Sequence, residues 1–169
     1  MLFRSLIIYS FLGLCAIAAD TFTVATFNVE NYFLTPFATR KAKTKESRAK
    51  VVEAIVSIKP DVLALQEMGR KVALEDLRNR LNQKGSGYSH SLWLSGPDPA
   101  IHLAVLSRFP IVGHHSKTNE TYLLDGKRFQ VSRGFVVVDI QVRRDYIFTL
   151  FNAHLKSMRK VVIADQADM

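Results

Sequence analysis

Three short stretches of this sequence each end an apolar run on residues able to bind a cation or a phosphate. Thr26-Phe27-Asn28-Val29-Glu30-Asn31 sets two amides and a carboxylate behind a strand-like segment. Asp61-Val62-Leu63-Ala64-Leu65-Gln66-Glu67 does the same with an amide and a carboxylate. Phe151-Asn152-Ala153-His154-Leu155-Lys156-Ser157 ends on an amide, an imidazole and an amine. Open α/β sheets place their ligands where strands run out into such polar groups. A carboxylate, an amide oxygen and an imidazole converging at one sheet edge suit a hard divalent cation and a phosphate. The pair His114-His115 does not make a metal site, because adjacent side chains on a strand point to opposite faces.

The elements that must position these groups are legible from periodicity. Thr21 to Phe27 alternates, with Phe22 and Val24 on one face and Thr21 and Thr23 on the other, and predicts a half-buried strand. Residues 28–44 break the pattern and contain Pro36, which predicts a loop. Val51, Val52, Ile55 and Val56 fall at helical spacing, predicting a helix over 46–59 that stops before Pro60. Val62 to Leu65 is apolar throughout, as in a strand covered on both faces. Leu74, Leu77 and Leu81 form the stripe of a second helix ending near Gly85. Strands are then expected over 88–94, 101–107, 111–115, 134–142 and 146–153, punctuated by Pro97, Pro99, Pro110 and Asp125-Gly126. Helices followed by a run of strands predict mixed sheets in one α/β domain.

In this order and spacing, the patches resemble the endonuclease/exonuclease/phosphatase superfamily, the deoxyribonuclease I-like proteins. Thr26-Phe-Asn-Val is similar to the family's first motif, and Leu65-Gln66-Glu67 to its metal-ligand motif. Ala104-Val-Leu-Ser-Arg-Phe-Pro110 resembles a family strand and turn, and Asn152-Ala-His154-Leu its phosphate-contacting motif. The resemblance implies an α/β (α+β) fold, a four-layer α-β-β-α sandwich, of which this chain carries the N-terminal part. It implies a Mg²⁺-dependent phosphoesterase, with Mn²⁺ or Ca²⁺ as alternatives. Glu67 and Asn28 would serve the metal, and a distal Asp would complete it. Water would attack in line, and His154 and Asn28 would steady the phosphate.

Each of these residues also has a plainer reading. Glu67 follows a buried strand, where a carboxylate needs a cation or a partner; otherwise it is a solvated loop residue. Asn28 is otherwise a strand-end turn residue, and His154 a satisfied polar group. Asn152 either joins the site or buttresses its strand end. Arg133, in Ser132-Arg133-Gly134, contacts phosphate if it matches a family arginine. Ser107 and Arg108 fit the pattern and also suit a turn before Pro110. The basic run Arg40, Lys41, Lys43, Lys45, Arg48, Lys50 suits a phosphate backbone, but a solvated loop and helix face is the commoner origin.

Composition bounds the rest. With 48% hydrophobic and 22% charged residues, 8 Gly and 5 Pro in 169, the chain is neither disordered nor collagen-like. One Cys excludes a disulfide framework and a Cys-rich zinc site. A net charge of +8 agrees with phosphorylated or polyanionic partners, nucleic acid among them, without identifying one. Residues 1–19 read as a signal peptide: Arg4, an apolar run from Leu6, and small residues at Ala16, Ala18 and Ala19. Lipidation at Cys15 is the competing reading. Export to the periplasm or medium is expected, with no transmembrane segment in the mature chain and a monomeric state. The family domain then occupies 20–169, C-terminally incomplete. Neither the family's Gly-Asp-x-Asn nor its Ser-Asp-His segment occurs, and Val161–Met169 reads as an opening helix. A truncated enzyme is therefore expected, or a natural short form acting as a non-catalytic secreted binding module.

Overall fold

In the computed structural model of the protein, residues 21–155 are described. The expected signal peptide and the helix expected from Val161 lie outside those residues. The chain opens with β1 (Val24–Tyr32), crosses over through α1 (Lys45–Ile58) and returns parallel as β2 (Val62–Met68). Thr44 caps α1, its hydroxyl accepting from Ser47 N at 3.1 Å, and Lys59 ends the helix in the left-handed region just before Pro60. Then come α2 (Lys71–Gln83), β3 (His90–Leu94) and β4 (His102–Ser107). These strands form a four-stranded sheet in the order β1-β2-β4-β3, with β4 antiparallel to both neighbours. β5 (Ile111–His114), β8 (Phe135–Arg143) and β9 (Tyr146–Ala153) form a second, antiparallel sheet in the order β5-β8-β9.

Strand alternation explains how the layers stack. Leu63, Leu65, Ala104 and Leu106 face the helices, meeting Val52, Ile55, Leu74, Leu77 and Leu81. Val62, Leu103 and Val105 point the other way, against Val136, Val138 and Ile140 of β8. Each fully buried Leu or Val contributes about 1.5–3 kcal/mol. β4 is consequently buried along its whole length. Helices, first sheet and second sheet are thus three layers of the expected sandwich. The far face of β5-β8-β9 carries no helix among the described residues, and Ile147 and Phe151 stand more than half exposed there.

Two expectations need correction. Residues 28–32 are not loop: β1 runs on to Tyr32, which pairs with Met68 and is fully buried. A bulge between Asn28 and Tyr32 breaks the alternation, so the strand is invisible to a period-2 reading. The second correction is a hairpin, β6 (Thr121–Leu124) and β7 (Lys127–Gln130), closed by Asp125-Gly126. Its turn pair stands in the sequence as punctuation. Its strands are four residues each and mostly exposed, so burial wrote no pattern into them.

Candidate active site

Glu67 owes its position to a mismatch between two strands. Asn28 pairs with Gln66 and Tyr32 with Met68, so Glu67 alone stands opposite Val29, Glu30 and Asn31. Glu30, Asn31 and Glu67 all take positive φ, at 49°, 54° and 60°. Such conformations cost non-glycine residues roughly 1 kcal/mol or more each. In return the bulge folds over the carboxylate. Asn28 Nδ2 donates to Glu67 Oε1 at 3.0 Å, and Asn31 N donates to Oε2 at 3.0 Å. The Asn28 amide is itself held, its Oδ1 accepting from Glu30 N at 2.9 Å.

The third patch arrives from the other sheet. Asn152 is buried and ties the sheets together: its Nδ2 donates to Leu65 O at 3.1 Å and Ala104 O at 3.2 Å, and its Oδ1 accepts from Gln66 Nε2 at 2.6 Å. Gln66 Nε2 also donates to Thr26 Oγ1 at 2.9 Å. Asn152 is therefore a buttress in this structure, fixing the strand that carries His154. Gln66, named within the second patch but given no role of its own there, is the hub of that network.

His154 Nε2 lies 3.7 Å from Glu67 Oε1. Burial, then the charge of Arg133, holds the imidazole below its ordinary value, while Glu67 and Asp98 pull the other way. This shift favours the uncharged ring, and at 3.7 Å the contact is too long for a hydrogen bond. His154 Nδ1 is buried with no hydrogen-bond partner. Arg133 and Asp98 complete the surroundings, with Arg133 Nε 3.6 Å from Asp98 Oδ2. Asp98 escaped the sequence reading. Its only signal there was the Pro97-Asp98-Pro99 string, read as a turn.

The basic run divides. Arg40 Nη1 donates to Asn31 Oδ1 and Lys43 Nζ to Glu30 O, so both brace the bulge, and Arg48 pairs with Asp76 at 3.3 Å. For these three the solvated-face reading fails: the chain after β1 brings Arg40 and Lys43 back over the strand end, and α1 turns Arg48 toward Asp76 of α2. Lys41, Lys45 and Lys50 are exposed. Ser107 and Arg108 lie at the opposite end of the sheet: Ser107 Oγ donates to Phe109 O and Arg108 pairs with Asp61, both shaping that turn. His115 binds Asp139 on the second sheet, away from Glu67.

A carboxylate has roughly four lone-pair positions, and Glu67 spends two of them. It therefore fits one ligand position of Mg²⁺, which is commonly held by one or two carboxylates together with waters and phosphate oxygens. Among the described residues no group of three His, Cys, Asp or Glu side chains is placed to hold a metal ion. An open groove of about 400 Å³ leads to the site between the outer edges of β1 and β9, lined by Thr26, Gln66, Phe151, Asn152 and His154.

Fold and site together define a two-sheet α+β sandwich with an acid, amide and imidazole cluster at the strand ends. The chain belongs to the endonuclease/exonuclease/phosphatase family, whose sequence pattern it matches over residues 25–164. No curated protein matches it. The catalytic domain of human Nocturnin with bound sulfate superposes with a TM-score of 0.59 at 18% identity, covering 82% of this chain and 52% of that one. Sphingomyelinase C from Streptomyces griseocarneus gives 0.58 at 19%, covering 86% and 53%. A family protein from Leptotrichia buccalis C-1013-b gives 0.59 at 16%, covering 80% and 54%. At these identities the likeness is one of fold. The chain spans about half the length of these solved structures.

Proposed function

We propose that the protein acts on phosphoester bonds with a divalent cation, Mg²⁺ before Mn²⁺ or Ca²⁺, at the Glu67–His154 cluster. The observation that carries this is Glu67 itself. A carboxylate held by two hydrogen bonds on a strained bulge is costly unless it serves a ligand. Glu67 would hold the ion, which when bound supplies positive charge to a phosphate oxygen. Asn28 and the Asn31 amide fix the carboxylate's orientation. Neutral His154 offers one N–H to a phosphate oxygen and keeps its other nitrogen as an acceptor. Arg133 adds a positive charge against the phosphate. Family membership supports the phosphoester class, and nucleic acid, sphingolipid or small phosphoesters all remain inside it. The apolar run before Asp20 supports export to the periplasm or medium.

A second reading, a non-catalytic module that binds phosphoesters, rests on the small number of metal-binding groups among the described residues. One experiment separates the two. The full chain is assayed on bis(p-nitrophenyl) phosphate, plasmid DNA, RNA and sphingomyelin, with Mg²⁺ and with chelator. Chelator-sensitive turnover of any of them supports the enzyme. Binding of inorganic phosphate without turnover supports the module, and a chain that shows neither turnover nor binding removes the phosphoester reading.

A further inference from the structure

Arg133 is held from two sides by one short turn. Asp98 Oδ1 accepts from Ala100 N at 2.9 Å and Ile101 N at 3.0 Å, which fixes the carboxylate within its own loop. The same residue's N–H donates to Ser132 O at 2.7 Å. Two residues earlier, Gly96 lies so close to Arg133 that a Cβ there would sit 2.6 Å from Arg133 O. The backbone around Arg133 is thus clasped to residues 96–98. Its side chain is clasped as well: Nε is buried without a hydrogen bond and turned to Asp98 Oδ2 at 3.6 Å, with the two side chains 15% and 17% exposed. Among the described residues, nothing engages the Nη groups. One edge of the guanidinium therefore faces Asp98 and the other is left open, at the strand end where Phe135 pairs with Ala153 and so brings Arg133 beside His154.

We infer that Asp98 is a positioning residue, holding Arg133 by its Nε edge so that its Nη edge meets the substrate phosphate beside Glu67 and His154. The inference rests on the phosphoester reading above. A long arginine left to itself samples many rotamers, and fixing it beforehand removes that cost from binding. Asp98 touches no reacting atom.

Charge alone makes the opposite prediction, which gives the test its sign. Removing a carboxylate from the edge of an anion site should tighten anion binding. If Asp98 positions Arg133, Asp98→Asn should instead weaken it, because the neutral amide keeps the loop acceptor but loses its hold on the guanidinium. Affinity for inorganic phosphate is measured by calorimetry on the full chain, the Asp98→Asn and Arg133→Gln variants and the double variant. The expected result is a loss of about tenfold for Asp98→Asn, and no further loss when Arg133 is already Gln. Equal losses in both backgrounds would assign Asp98 to the fold alone, and tighter binding would reduce it to its charge; either overturns the inference. If Asp98→Asn does not fold, Arg133→Lys reads the same contact. It keeps the charge without an Nε and should lose about tenfold, whereas unchanged affinity would overturn the inference. A wild-type chain that binds no phosphate would sink the phosphoester reading, a result distinct from an additive cycle.

Discussion

The two ends of the β1-β2-β4-β3 sheet carry similar polar residues and treat them in opposite ways. At the end where β1 and β2 begin, Asp61 Oδ2 accepts from Thr23 N at 2.8 Å and Oδ1 from Arg108 Nη1 at 2.9 Å. Arg108 Nε is spent on Ser86 O, and Tyr88 OH on Pro60 O at 2.7 Å. These groups partner one another, and positive φ falls there on Lys59 at the helix end and on two glycines, Gly85 and Gly87, which carry it without strain. At the other end, three non-glycine residues stand in the left-handed region within one bulge, and His154 Nδ1 is buried without a hydrogen bond. A fold that satisfies one end fully could have satisfied the other. Backbone strain beside an unpartnered ring nitrogen marks where a ligand completes the structure.

The sharpest way to break this contrast is Glu67→Gln. If the strained end serves chemistry, turnover in the phosphodiester assay should fall at least about a hundredfold, the range seen when a key charge is removed from a transition state. Thermal stability should hold or rise slightly, because relieving the charge costs the fold little. Unchanged turnover would place Glu67 with the structural residues.

Asn152→Leu should have the largest effect on stability. It removes two donated bonds and one accepted bond, leaving Gln66 with its bond to Thr26 alone and taking a donor from each of two strand carbonyls in the interior. About 3 kcal/mol is expected, at 1–3 kcal/mol for each buried group left unpaired and partial relaxation of the rest. Urea unfolding measures it. A loss below about 1 kcal/mol would mean that the sheets do not depend on this bridge.

Arg108→Met tests the satisfied end. Its ion pair with Asp61 is about a third exposed on the arginine side, which limits the cost to about 1 kcal/mol. Phosphate affinity should not change. A change there would show that the two ends are coupled.

The smallest effect is a pH dependence in the helix layer. Burial works against ionised Asp76, but hydrogen bonds from Arg80 and Tyr32 and the charges of Arg80 and Arg48 hold its carboxyl below the usual range. A depressed folded-state pKa stabilises above the ordinary carboxylate value and stops doing so as pH falls through the folded one. Wild type should therefore exceed Asp76→Asn by up to about 1 kcal/mol at neutral pH, and the two should converge in acid. Denaturant midpoints between pH 7 and pH 2.5 report it. A gap that persists in acid would assign the effect to packing.

Much of the fold could be read before folding because its signals are local. The stripe Leu74, Leu77, Leu81 and the stop at Pro60 specify helices whatever surrounds them. The all-apolar run Val62–Leu65 announces a strand covered on both faces, and both faces are covered. The β6–β7 hairpin and the last five residues of β1 lacked such signals. One is too exposed to show a pattern, and the other is broken by a bulge.

The site divides along the same line. The types and order of Asn28, Glu67, Asn152 and His154 are properties of the sequence, and with them the strand ends on which they stand. What each side chain does there belongs to the tertiary structure. Asn28 turns its amide to Glu67, and Asn152 becomes a bridge between sheets, because a residue 39 or 87 positions away supplies the partner. Asp98 and Gln66 follow the same logic, since each gains its meaning from a neighbour on another loop or another sheet. Periodicity records which face of an element is buried. It does not record which distant atom a polar group will meet, and that is settled only when two sheets with alternating faces close on each other.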